Sequence, residues 1–329
     1  SILASNDDIV FYPMFDPACH VLFFNQRRKP FDDMNFRRAL AYALDRKKIR
    51  EAANYYGKEF PISIAGIPPS SIETYVSEEM QAKLTKYEYD VEKAASILEE
   101  NGWKRNENGI WEDKDGKTYS FTIAVNAGWQ PAGVVDTAAS IVAEQLKDFG
   151  FPTEVIAVDN SVFWNNAAVE GMYDMAIDWG DVTWGFMYPW SALSNTFTGG
   201  PSELMGLPRD PQTNRVQLKV KGPDGTEVNP VELVDALPVT QDEDERNKII
   251  DTLVWICNEY AFGVNLYQNT TGVWENRKHV TGLPMEDEID KYSQFMPIGR
   301  TPEEREKVAE LNWGFAGIQK IWSGDIKPR

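Results

Sequence analysis

The stretch from Tyr119 to Trp179 constrains the fold more than any other part of the chain, because its periodicity keeps switching. Tyr119, Phe121, Ile123 and Val125 recur at every second residue, the spacing of a strand. Thr137–Phe149 instead gathers Ile141, Val142, Gln145 and Leu146 on one side of a helix that Gly150 ends. Pro152–Val158 reads as a second strand, Ser161–Val169 as a helical segment and Tyr173–Trp179 as a third strand. Strand, helix, strand, helix, strand at this short spacing is an α/β unit.

The flanking sequence adds helices and turns. Pro30–Ile49 predicts one helix capped by Asp32 or Asp33, with Phe36, Leu40, Ala43 and Leu44 facing the core. Arg46, Lys47 and Lys48 then fall in its last turn, where cations suit the helix dipole. Gly66–Ser71 must be loop, and Asp90 caps a helix that Gly102 stops. Asn108-Gly109 and Asp115-Gly116 are turn signals around a small hairpin. Pro189–Phe197 reads as a short helix, and Gly199–Asn229 as polar loop. The capping box Thr240-Gln-Asp-Glu243 opens a helix to about Tyr260. Strands near Phe262–Tyr267 and Gly272–Glu275 follow, then a helix opened by Thr301-Pro-Glu-Glu304. At 329 residues the chain suggests two domains.

Composition excludes several functions. Lysine and arginine number 33 against 51 acidic residues, so the net charge is −18. Such a chain suits neither nucleic acid nor anionic lipid. No apolar run approaches the ~20 residues of a membrane helix. The N-terminal residues carry no basic-then-apolar leader pattern, so the chain is either cytosolic or read without its leader. Cys19 and Cys257 neither require nor exclude a disulfide and match no zinc spacing.

Catalytic signatures are missing. His20 and His279 are the only histidines and lie far apart. There is no GxSxG, no GxxxxGK[ST] and no GxGxxG. Asp113-Lys-Asp115-Gly116 imitates a calcium loop, but its register puts Trp111 and Thr122 where acidic ligands belong. No cofactor, no metal site and no catalytic residue are expected. A carboxylate-dependent hydrolase is the alternative of another class, and Ala at Asp178 and Asp181 would then abolish turnover.

The segment Tyr173–Phe197 is the richest in aromatics, with Trp179, Trp184, Tyr188 and Trp190. Trp179 ends one predicted strand, and Trp129 follows another. Ligands of open α/β sheets bind beyond the carboxyl ends of strands. These tryptophans and Tyr188 are therefore candidate ligand-binding residues, since flat rings suit sugars and apolar side chains. Asp178 and Asp181 are candidates for receiving a ligand ammonium or hydroxyl.

Taken in order, these segments resemble the family 5 extracytoplasmic solute-binding proteins of ABC importers, the oligopeptide, dipeptide and nickel-binding group. The resemblance is carried by HVLFFNQRRKPFDDMNFRRALAYALDRKKI (20–49), AGIPPSS (65–71) and YEYDVEKAASILEENGW (87–103). It continues through GIWEDKDGKTYSFTI (109–123), AASIVAEQLKDFGF (138–151), YDMAIDWG (173–180) and VWENRKHVTGLP (273–284).

The resemblance implies a periplasmic-binding-protein-like architecture (type II, cluster C): an α/β C-terminal lobe with a mixed sheet flanked by helices. Residues 1–17 would lie near the hinge, 18–261 would form the ligand-binding lobe, and 262–329 would return toward an N-terminal lobe missing from this sequence. It implies a monomeric receptor outside the cytoplasmic membrane, periplasmic or lipid-anchored, that delivers an oligopeptide or similar solute to a permease. An oligosaccharide, or a sensing role on the same fold, is the alternative. In peptide-binding members an aspartate after the "yDm…w" element takes the peptide amine. Asp181 is the nearest position, although Trp179-Gly-Asp181 is shorter than that spacing. Two histidines and no family metal pattern argue against nickel.

Overall fold

The computed structural model describes residues 8–128, 134–182, 189–276, 278, 280–281 and 327–328. Its centre is a five-stranded mixed sheet built from β1 (Ile9–Phe24), β2 (Phe121–Ala127), β3 (Thr153–Asp159), β4 (Met175–Gly180) and β5 (Gly263–Asn276). The strand order is β3-β2-β4-β1-β5. β2 runs parallel to β3 and β4, whereas β1 runs antiparallel to β4 and β5.

Strand alternation divides the core. Leu22, Phe24, Ile123, Val125, Met175 and Ile177 point to one face. There they meet α1 (Met34–Ala43), α3 (Val91–Glu100) and α4 (Val134–Asp148), in which Phe36, Leu40, Leu98, Val142 and Leu146 are buried; α2 (Arg46–Ala53) lies between α1 and α3 in the chain. Cys19, Val21, Phe23, Ala124 and Ala176 point to the other face. That face is covered by α5 (Trp190–Thr198), α6 (Pro230–Ala236) and α7 (Glu243–Tyr260). Two apolar faces of one sheet, each under helices, give the expected three-layer α/β arrangement.

Three details differ from the sequence reading. The single helix expected over Pro30–Ile49 is two. Leu44 is extended, and the Asp45 side chain accepts from the Lys48 backbone N–H to cap α2. Arg46 therefore opens a helix instead of closing one. Its buried guanidinium donates to the carbonyls of Ala41, Phe60 and Tyr87. The cap of α7 is Asp242, which accepts from Glu245 N–H at 2.8 Å, not Thr240. The two strands expected after residue 262 are one, β5, paired with β1 from Gly263 to Asn276.

Phe262, Val264, Leu266 and Tyr267 are buried, so the start of β5 packs with the rest of the sheet. The ladder continues past the sheet as a two-stranded ribbon, Ile9–Phe15 against Thr270–Asn276. Between ribbon and sheet the register shifts, so Asp16, Pro17 and Ala18 bulge opposite Asn269. The helix expected at Thr301 lies outside the described residues. Among those described, no helix is long and apolar enough to cross a membrane.

Candidate functional site

The sheet has one topological switch point. The chain leaves β2 through α4 on one face and adds β3, then leaves β3 through the helical segment around Phe163 on the opposite face and adds β4 on the other side of β2. Connections that depart in opposite directions open a crevice at the carboxyl ends of β2 and β4. The β1–β5 ribbon leaves the sheet at that same edge, because Cys19 and His20 pair with Gly180 and Trp179 at the end of β4.

The predicted residues do not converge on one surface. Trp129, Trp184 and Tyr188 lie outside the described residues. Asp178 and Trp179 are consecutive on β4 and so point to opposite faces. Asp178 is buried, and its Oδ1 accepts from the Trp179 backbone N–H at 2.6 Å. It shares its face with Asn126 of β2. Asn126 donates through Nδ2 to Asn160 Oδ1 at 2.9 Å, while its own buried Oδ1 has no hydrogen-bond partner among the described residues. Trp179 is half-buried and aligns across the strands with His20 and Tyr267. The His20 ring lies 5.2 Å from the Tyr267 ring, and its Nδ1 is 2.8 Å from Asn269 Oδ1.

Asp181 has a role within the protein. It is 3% exposed and holds a left-handed backbone, φ 44°, uncommon for a residue with a side chain. Its Oδ1 accepts from the backbone N–H groups of Ala65 and Gly66 at 3.0 and 2.7 Å. Its Oδ2 accepts from Asn265 Nδ2 on β5 at 2.7 Å. The carboxylate thus ties the exit of β4 to the Ala65–Gly66 loop and to the ribbon strand. Burial pushes its carboxyl up to about 6, although all three hydrogen bonds favour the charged form. The thiols of Cys19 and Cys257 are buried and free, and desolvation, reinforced by the Asp181 charge, raises both well above the usual thiol range.

Trp190 opens α5, and its indole N–H donates to the Val234 carbonyl of α6 at 3.1 Å. Half-buried against the α7 side of the core, it fastens two helices together. Asp181 and Trp190, expected at the ligand, therefore have their polar groups engaged by the frame. A solute ammonium at Asp181 would have to displace backbone and carboxamide donors from a closed site.

The Asp113 turn is also settled by local bonds: Oδ1 accepts from the N–H groups of Asp115 and Lys117. Among the described residues no cluster of His, Cys, Asp and Glu can hold a metal ion.

Sequence reasoning passed over Asn126, His20, Asn265 and Asn269. All four are polar residues inside otherwise apolar strands, and that contrast was the available signal.

The family described as "Bacterial extracellular solute-binding proteins, family 5 Middle" matches residues 3–202. Oligopeptide-binding protein AppA of Bacillus subtilis is 35% identical over 136 residues, which is 41% of this chain and 23% of that protein. The crystal structure of a periplasmic oligopeptide-binding protein from Thermotoga maritima superposes with a TM-score of 0.71 at 21% identity, over 100% of this chain and 56% of that one. Its mannohexaose-bound form gives 0.63, over 96% and 53%. The chain thus spans about half the length of these solved relatives. With the family match covering well over half of the sequence, and a fold to agree with it, this chain belongs to the family 5 bacterial extracellular solute-binding proteins.

Proposed function

We propose that this chain is the solute-facing lobe of an ABC-importer receptor that works outside the cytoplasmic membrane. It captures a medium-sized solute by closure of two lobes and hands it to a permease. The carrying observation is the coincidence at one edge: β2 and β4 present their carboxyl ends where the β1–β5 ribbon leaves the sheet. A solute held there lies beside the strands that cross toward a second lobe. Asp178 and Trp179 of β4 lie at that edge, while Asp181 and Trp190 hold its frame; Trp129, Trp184 and Tyr188 remain candidate ligand contacts by sequence alone. The importer's ATPase supplies the energy, so the receptor needs no catalytic residue.

Two solute classes follow from different observations. Similarity to an oligopeptide-binding protein favours an oligopeptide. The occupied Asp181 carboxylate and the uncharged carboxamides of Asn126 and Asn160 favour an uncharged oligosaccharide, the class that includes the mannohexaose bound by the Thermotoga maritima relative. Thermal unfolding with a mixed oligopeptide pool and, separately, with mannohexaose and cellohexaose decides between them. A solute at 100 times its Kd stabilises the fold by about 2.7 kcal/mol. A shift with one class alone assigns the solute; no shift with any of them contradicts the receptor reading.

A further inference from the structure

The structure assigns Tyr55 and Tyr56 as an aromatic stacking subsite for a ring-bearing solute. The inference rests on the receptor reading and adds a contact that lies outside the aromatic segment of β4. Both side chains are exposed, Tyr55 by 72% and Tyr56 by 44%. Their rings meet edge to face, with centroids 5.2 Å apart and planes at 89°. Neither residue belongs to the buried core, and together they present aromatic ring surface to solvent.

Their backbone is fixed despite that exposure. Gly57 N–H donates to the Asn54 carbonyl at 2.9 Å, and Arg50 holds the Tyr55 carbonyl at 3.1 Å. Lys58 pairs with Gln268 of β5 through N–H···O bonds of 3.1 and 2.8 Å. A Cβ on Gly57 would stand 3.0 Å from the Gln268 carbonyl oxygen, a tight contact that loop and strand would have to ease by a few tenths of an ångström. The rings thus sit on a pre-organised turn, which lowers the entropy lost on binding.

Position then selects the occupant. Asn54, the residue before Tyr55, donates to Asn269 Oδ1 at 3.3 Å. Asn269 in turn contacts His20, whose strand partner is Trp179. The tyrosine pair is therefore linked through packed side chains to the carboxyl end of β4 and flanks the start of the ribbon. The loop lies against the outer edge of β5, two strands from β4, so a solute long enough to extend from Trp179 across β1 and β5 would meet the tyrosines. The chemistry they share is a flat ring face, which receives a pyranose or an aromatic or proline side chain.

The test compares the wild-type chain with Tyr55→Ala/Tyr56→Ala and Tyr55→Phe/Tyr56→Phe, titrated calorimetrically with mannohexaose, cellohexaose and the oligopeptide pool. For whichever probe binds the wild type, the alanine pair weakens binding about tenfold and the phenylalanine pair less than about twofold. The melting temperature of both variants stays at the wild-type value, because neither ring is part of the core. Loss confined to the hexaoses identifies a sugar ring, and loss confined to peptides identifies a side-chain ring. Unchanged affinity in the alanine pair overturns the subsite while leaving the receptor reading intact. Absence of wild-type binding to every probe overturns both.

Discussion

Asp181→Ala lowers the unfolding free energy by about 3 kcal/mol at neutral pH, whereas Asp181→Asn costs less than about 1 kcal/mol. Alanine strands three buried donors, the N–H groups of Ala65 and Gly66 and the Nδ2 of Asn265, at a gross cost that exceeds the relief of a desolvated charge. It also keeps a side chain at φ 44°, where asparagine and glycine are tolerated better. Asparagine retains an acceptor for Ala65 and Gly66. Its new amide group faces Asn265, whose Oδ1 is buried without a partner and can accept once that carboxamide turns over. Urea unfolding of the two variants reads the difference, and equal losses would contradict this account of the site.

The same pair of proteins carries a pH signature. The folded Asp181 carboxyl, raised to about 6 by burial, binds a proton more tightly than the unfolded one, which titrates near 3.8. Between those values the native state holds more protons, so this group's contribution to stability falls as pH rises. A displacement of about two units corresponds to about 3 kcal/mol over that window. Asp181→Asn removes this slope, so the wild-type advantage over it shrinks from pH 4 toward pH 6.5.

Arg37→Met lowers stability by about 3 kcal/mol, and Arg37→Lys by about 2. Arg37 lies in α1, which Asp33 caps. Its buried guanidinium donates to the carbonyls of Phe31 at 2.7 Å, Tyr260 at 2.7 Å and Ala261 at 3.0 Å. Tyr260 and Ala261 end α7, where the left-handed Ala261, φ 45°, leaves carbonyls that the helix cannot satisfy. One planar fork thus joins α1, α7 and the approach to β5. Burial lowers its pKa to about 10, still far above neutral, so the charge persists. Lysine keeps the charge but cannot span carbonyls on separate segments. Urea unfolding at an unchanged m-value checks both losses; a cost within about 0.5 kcal/mol for Arg37→Met would show the fork to be dispensable.

What the sequence discloses is mostly local. Tyr119–Trp179 displays its α/β order because each strand and helix carries its own period, and the Asp90 cap and Gly102 stop are within reach of their own helix. The break at Leu44 and Asp45 was hidden because no Gly or Pro marks it: the stop is an extended Leu44, and Asp45 caps a new helix at once. β5 was read as two strands because the polar run Gln268-Asn269-Thr270-Thr271 interrupts its hydrophobicity, while its continuity comes from pairing with β1, some 250 positions earlier. The internal bonds of the Asp181 carboxylate were not legible, because nothing near it in sequence discloses Ala65, Gly66 or Asn265. The placement of Tyr55-Tyr56 was not legible, because nothing near them in sequence discloses that Lys58 pairs with the distant Gln268.

The most direct measurement of the central claim is amide hydrogen exchange of the wild-type chain with and without the probe that raises its melting temperature. Bound solute at the strand-carboxyl edge slows exchange in residues 54–58, 126–128 and 179–182, and leaves residues 25–30 at the far end of β1 unchanged. Protection at 25–30 with none at the carboxyl ends of β2 and β4 would place the solute elsewhere and contradict the assignment.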